Sequence, residues 1–123
     1  MLKRFWGFAL AFMLTAGVSG AASAQGKQDF TLVNKTGYTI DQVYVAPSSS
    51  NDWESDVLGR DQLAHGEEVH ITFSRADKSC KWDLKVTWTD NSSSEWHGAD
   101  LCSISKISLF YDKSSDRAWA EAD

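Results

Sequence analysis

The chain has 123 residues, with 12 basic and 17 acidic side chains, and its formal net charge is −5 at pH 7. This length allows one domain with a modest core. The acidic balance disfavours binding to nucleic acid or to an anionic membrane surface. Neutral, cationic or divalent-metal ligands, or another protein, are the partners that this charge favours.

The first 24 residues have the pattern of a secretory signal peptide. Lys3 and Arg4 give a positive start, an apolar run follows over residues 5–18, and Ala22-Ser23-Ala24 is the small-x-small sequence that signal peptidase reads. The apolar run is too short for a stable membrane span. We therefore expect cleavage after Ala24 and a mature, periplasmic or secreted chain of residues 25–123. Ten basic and 17 acidic residues give this mature chain a net charge of −7.

The mature chain consists of short β-rich segments separated by turn residues. The predicted strands are residues 29–34, 39–46, 68–74, 80–89, 95–99 and 101–111. The fourth strand is the clearest, because its apolar residues alternate with polar ones over nine positions. This apolar face consists of Cys80, Trp82, Leu84, Val86 and Trp88.

The spacing of these segments predicts an all-β fold. About six strands with regular turn signals and no crossover helix are typical of a small antiparallel β-sandwich or a small barrel, and we favour the sandwich. Its core is expected over about residues 29–111. Residues 112–123 are expected to be a polar tail that forms a short helix or frays.

Two cysteines are present, Cys80 and Cys102, 22 residues apart. In an oxidising compartment a disulfide between them is the expected state. Two cysteines alone cannot form a structural zinc site, and no further soft ligand stands at zinc spacing. We therefore predict one disulfide that ties two strands together.

Two blocks of spaced residues run through the mature chain. The first is Asn34-x-Thr36-Gly37-x-x-Ile40-x-x-Val43-Tyr44-Val45-x-Pro47, then Trp53, Asp56-x-Leu58-Gly59 and Leu63-x-x-Gly66-Glu67. The second is Cys80-x-x-Asp83-Leu84 and Asp100-Leu101-Cys102-x-Ile104-Ser105-x-Ile107-x-Leu109. Together they resemble a group of small exported bacterial β-domains of uncharacterised function, over roughly residues 30–111. Such sequences have glycine after the loop tryptophan, where this chain has Glu54. The resemblance implies no activity.

An acidic loop is the first candidate for a binding site. Asp52, Trp53, Glu54 and Asp56 stand close together in a loop over residues 48–59. Hard oxygen ligands on a flexible loop are what calcium requires, although the spacing is not that of an EF-hand. The alternative is that Asp52 caps a turn, Trp53 closes one end of the core and Asp56 is solvated.

Aromatic side chains are the second candidate. Exposed tryptophan and tyrosine rings stack on sugars and anchor protein interfaces. Trp82 and Trp88 belong to the core by alternation, whereas Trp53 and Trp96 stand in loops or at strand edges where they can be exposed. The alternative is that these rings fill a small core.

The sequence contains no convincing catalytic pattern. It has no Gly-x-Ser-x-Gly elbow. His65 and His70 flank Gly66, but the strand pattern forbids the helix that a His-Glu-x-x-His zinc site needs. His97 stands alone. We therefore predict no enzyme activity, no metal site at these histidines and no cofactor.

These observations predict a small exported binding or interaction domain that contacts a partner or ligand through loops at one end of the sandwich. Its candidate contact residues are Asp52, Trp53, Asp56 and Trp96. The partner is an unknown protein or small ligand, and no second apolar stretch is long enough to span a membrane. The mature chain is expected to be a monomer. The alternatives are a calcium-dependent module and a structural envelope accessory protein with no ligand.

Overall fold

The computed structural model describes residues 26–123, and the predicted signal peptide over residues 1–24 lies outside them. The regular secondary structure of the described range consists of seven β-strands. They are β1 (Phe30–Lys35), β2 (Ile40–Pro47), β3 (Glu68–Ile71), β4 (Lys81–Trp88), β5 (Ser93–Asp100), β6 (Lys106–Asp112) and β7 (Arg117–Ala122). Nothing in this range folds as a helix that could cross a bilayer.

The strands form two sheets. The four-stranded sheet has the order β3-β1-β6-β7, and the three-stranded sheet has the order β2-β4-β5. The predicted all-β sandwich is confirmed. Neighbouring strands are antiparallel except β1 and β6, which run parallel. Hydrophobic alternation could not reveal this parallel pair, because it fixes the face of each residue and not the direction of the neighbouring strand.

The core lies between the two sheets and follows from the alternation along each strand. Each sheet turns its apolar residues toward the other, and the opposite residues of each strand face outward. The buried apolar residues of the strands include Phe30, Leu32, Ile40, Val43, Ile71, Trp82, Leu84, Val86, Ile107 and Leu109. Leu63 and Leu101 complete this core from the connections.

A disulfide joins Cys80 and Cys102, as predicted. Cys80 directly precedes β4, and Cys102 lies in the turn that follows β5, so the bond closes the open end of this hairpin. The predicted last strand over residues 101–111 begins only at Lys106. The residues before Lys106 form a turn, in which an Asp100 carboxylate oxygen accepts a hydrogen bond from the amide of Cys102, at 3.2 Å.

The expected polar tail contains a seventh strand. β7 pairs antiparallel with β6, from Ile107 opposite Ala122 to Asp112 opposite Arg117. Alanine is depleted in strands, so the local sequence gives a weak strand signal. Pairing with β6 outweighs this preference.

Candidate functional site

One end of the sandwich carries a groove of about 670 Å³, which we call the end groove. Three connections meet there: the link from β1 to β2, the β4–β5 hairpin and the β6–β7 hairpin. The lining comes from both sheets and includes three aromatic side chains, five serine and threonine residues and two aspartates. This volume lies in the range of sites that hold small organic ligands.

The aromatic lining consists of Tyr38, Trp88 and Tyr111. Tyr38 is 48% exposed, and its ring meets that of Tyr111 edge-on, with centroids 5.5 Å apart. Trp88 is half-buried, and its indole Nε1 donates a hydrogen bond to Ser94 Oγ at 3.1 Å. Ring faces beside hydroxyl groups can stack on a ring-shaped ligand and hydrogen-bond its polar edge.

The groove has an acidic character. The Tyr111 hydroxyl donates a hydrogen bond to Asp116 Oδ1 at 2.7 Å, and this bond, with some burial and the nearby negative charge, raises the pKa of Tyr111 to about 12. Hydrogen bonds from the hydroxyl and the amide of Ser92 lower the pKa of Asp90. None of the described residues that line the groove is basic. The groove therefore favours a neutral or cationic ligand over an anion.

A buried asparagine holds the connection that carries Tyr38. Asn34 Nδ2 donates to the backbone carbonyls of Tyr38 at 2.7 Å and Leu63 at 2.8 Å. Its Oδ1 accepts from the amide of Thr36 at 3.0 Å and from the Thr36 hydroxyl at 2.7 Å. Gly37 follows with a φ of 87°, a left-handed conformation that glycine adopts freely. The Asn34-x-Thr36-Gly37 pattern is thus a hydrogen-bonded unit that fixes the backbone at one rim of the groove.

Asp52 and Asp56 lie outside the end groove. The connection over residues 48–62 runs along the free edge of β2, where Asp56 Oδ1 accepts hydrogen bonds from the amides of Val43 at 2.8 Å and Leu58 at 3.0 Å. Asp56 therefore fastens this loop to the sheet. Asp52 is exposed in the same loop.

The carboxylates of this loop do not gather into a metal-ligand group. In residues 26–123, the group of three potential ligand residues close enough to share an ion is Cys80, Asp100 and Cys102. The sulfur atoms of that group are joined in the disulfide. The arrangement of the described side chains therefore gives the calcium alternative no support.

Trp53 and Trp96 lie on opposite faces of the three-stranded sheet. Trp96 stands opposite Leu84 and packs half-buried against the core. Trp53 lies over the outer face, where the Lys85 ammonium is 6.0 Å from its ring centroid and 5.8 Å from that of Tyr44. The four candidate contact residues are thus not brought together at one surface.

The same outer face carries a charged cluster that the sequence did not indicate. His97 Nδ1 lies 3.0 Å from Asp83 Oδ2, and its Nε2 lies 3.2 Å from Glu95 Oε1. The hydrogen bond to Asp83 raises the pKa of His97. At Asp83, partial burial acts to raise the pKa, but hydrogen bonds from Ser48, His97 and the amide of Gly98 outweigh it and lower the pKa. The cluster is an exposed ion-pair network, in which the imidazolium form of His97 is favoured.

Sequence reasoning expected contacts at one end of the sandwich but selected other residues. The groove aromatics Tyr38, Trp88 and Tyr111 stand beside turns, at or next to the ends of strands. Alternation assigned Trp88 to the core, against which it packs half-buried while also lining the groove. In the sequence, all three stand within a few positions of a connection between strands. This position was the available indication that they lie at an end of the sandwich.

The fold and the groove define a disulfide-bonded β-sandwich domain with a concave, aromatic and acidic end. No family model matches the chain, and no curated protein matches its sequence. A solved structure with a similar fold is the NMR structure of a protein from Eubacterium rectale, at a TM-score of 0.56 and 14% identity. The match covers 76% of this chain and 85% of that one, and at this identity the likeness is one of fold alone.

Proposed function

We propose that this protein is a small exported binding domain, without catalysis, that holds a neutral or cationic ligand in its end groove. The observation that carries the proposal is the lining of that groove, which combines three aromatic rings with hydroxyl and carboxylate groups and, among its described residues, no basic side chain. Connections that a rigid sandwich positions are common locations for binding residues.

A neutral saccharide is the ligand class that fits this lining best. A sugar ring has an apolar face that can stack on the exposed ring of Tyr38 and hydroxyl groups that can donate to Asp90 or Asp116. The serine and threonine hydroxyls can serve as both donors and acceptors. An amino sugar adds a positive charge, which the two carboxylates favour.

Export is part of the proposal. The basic start, the apolar run and the Ala22-Ser23-Ala24 sequence support a signal peptide that is removed after Ala24. The disulfide is compatible with an oxidising compartment, either the periplasm or the medium.

A binding role suits Asp90 better than a role as a catalytic acid. A glycosidase needs one carboxyl group with a raised pKa to protonate the leaving group. At Asp90 the hydrogen bonds from Ser92 shift the pKa in the opposite direction. Asp90 is therefore suited to accept hydrogen bonds from a ligand rather than to supply a proton.

Calorimetric titration with neutral, amino and acidic oligosaccharides tests the proposal. We expect neutral or amino sugars to bind and acidic sugars to bind more weakly. Tyr38→Ala should weaken binding about tenfold, or about 1.4 kcal/mol, with the melting temperature nearly unchanged because the side chain is exposed.

Tyr44→Ala is the matched control, since it removes a tyrosine ring from the outer face of the three-stranded sheet, away from the groove. It should leave affinity unchanged. Equal effects of the two substitutions, or no binding by any saccharide in the panel, would contradict the proposal.

A further inference from the structure

The edge strand of a sheet exposes backbone N–H and C=O groups. These groups can pair with another strand unless the edge is covered, very short or distorted by a bulge. The two described sheets have four edge strands, and three of them are protected. The connection over residues 48–62 covers β2, where the Val57 amide donates to the Val43 carbonyl at 2.8 Å. β3 has only four residues, and β5 contains a register shift close to Gly98, whose φ is 75°.

Within residues 26–123, β7 has none of these protections. It pairs with β6 without a register shift over six positions and contains neither proline nor glycine. The Asp123 amide donates to the Lys106 carbonyl at 2.9 Å, so the backbone groups of residue 123 point toward β6. The backbone N–H and C=O groups of successive residues point alternately to the two sides of a strand. The backbone groups of Ala118, Ala120 and Ala122 therefore point toward the free edge.

The sequence of β7 is complementary to itself. In an antiparallel pair of two β7 strands centred on Trp119, Arg117 of one copy stands opposite Glu121 of the other, and this happens at both ends. Ala118 then faces Ala120 of the second copy, and these residues have the free backbone groups that form the hydrogen-bonded pairs. Charge, register and free hydrogen-bonding groups all favour the same alignment.

We propose that a second copy of this chain pairs with the free edge of β7, so that two four-stranded sheets join into one sheet of eight strands. The proposal does not depend on the end groove. The proposed dimer differs from the monomer that the sequence predicts.

The outer face of the sheet supports this contact. Trp119 already stacks on Phe110, with centroids 5.4 Å apart and ring planes 17° apart, and the Arg117 guanidinium lies 5.8 Å from the Trp119 ring centroid. In the dimer the two Trp119 side chains meet at the two-fold axis and extend this aromatic row across both copies. Because the contact is one strand pair with a small buried area, the dimer should be weak and should depend on concentration.

Sedimentation equilibrium of residues 25–123, which contain both sheets and the described core, tests the proposal. The average mass should rise from monomer toward dimer as concentration increases. Arg117→Glu and Glu121→Arg each place like charges at both ends of the strand pair, so each variant alone should associate at least about tenfold more weakly.

Mixing the two variants gives the sharpest result. Every close charge pair in the mixed dimer is then of opposite sign, and association should return, as it should in the double variant that exchanges the two charges. Glu68→Arg is the matched control, because it makes the same charge change on β3, at the opposite edge of the sheet. It should leave association unchanged.

A wild-type protein that remains monomeric at all concentrations would overturn the proposal. Self-association that the single substitutions leave intact, or that neither the mixture nor the double variant restores, would also overturn it, since the interface would then lie elsewhere. Melting curves of each variant show whether a loss of association reflects a loss of fold.

Discussion

At the scale of single residues, Asn34 is the side chain on which the rim of the end groove depends most. It is fully buried and makes four hydrogen bonds, three with the link from β1 to β2 and one with the carbonyl of Leu63 in the connection from β2 to β3. Asn34→Ala leaves the carbonyls of Tyr38 and Leu63 and the Thr36 amide without these partners. We expect a loss of about 3 kcal/mol in the free energy of unfolding, measured by chemical denaturation.

Asn51→Ala is the control for this prediction. Asn51 is exposed in the loop that follows β2, and its replacement should change the free energy of unfolding by less than about 0.5 kcal/mol. Similar small effects of the two substitutions would mean that the hydrogen bonds of Asn34 are replaced by water and do not hold the rim.

His97 makes stability depend on pH. Its pKa in the folded protein is raised above the ordinary value of 6.5, chiefly by the hydrogen bond to Asp83. A group with a raised folded pKa adds stability that is fully present below its unfolded pKa and is lost as pH rises through the folded pKa. The melting temperature of the wild type relative to His97→Gln should therefore be highest below about pH 6.5 and should fall as pH increases.

An NMR titration of the His97 ring checks the cause. The measured pKa should lie above 6.5 in the wild type, and Asp83→Asn should bring it back toward that value. A wild-type pKa at or below 6.5, or an unchanged pKa in Asp83→Asn, would show that the carboxylate does not hold the imidazolium.

At the scale of strands, the sequence was most informative where burial alone determines structure. β4 alternates without interruption and formed as predicted within one residue at each end. β7 was missed, because its three alanines carry little β-propensity and its partner strand supplies the pairing. The parallel pair of β1 and β6 was also missed, because strands so distant in sequence leave no local signal of their neighbour.

The spaced residues behind the family resemblance also act at this scale. Asn34 and Asp100 accept hydrogen bonds from backbone amides in the turns that directly follow them, whereas Asp56 and Asp83 accept from backbone amides within β2 and β5. Such residues are required by the fold, whatever the protein binds. The pattern gave no indication of the groove, because the groove's aromatic residues depend on how three distant connections meet.

At the scale of the whole molecule, stability depends on a small core and one covalent link. The two sheets enclose a limited set of buried side chains, and the Cys80–Cys102 bond constrains the unfolded chain across a separation of 22 residues. On the chain-entropy model such a link contributes roughly 3 kcal/mol. For a domain of about 100 residues this corresponds to a melting temperature higher by roughly 10–20 °C.

Reduction should therefore lower the melting temperature by that amount. The variant with Cys80→Ser and Cys102→Ser should melt at the temperature of the reduced wild type, and adding reductant to it should have no effect, which separates the disulfide from other actions of the reagent. The end groove lies at the other end of the β4–β5 hairpin from the disulfide. Ligand affinity measured well below the melting temperature should therefore change little on reduction, and a loss of affinity without a loss of stability would mean that the disulfide shapes the groove.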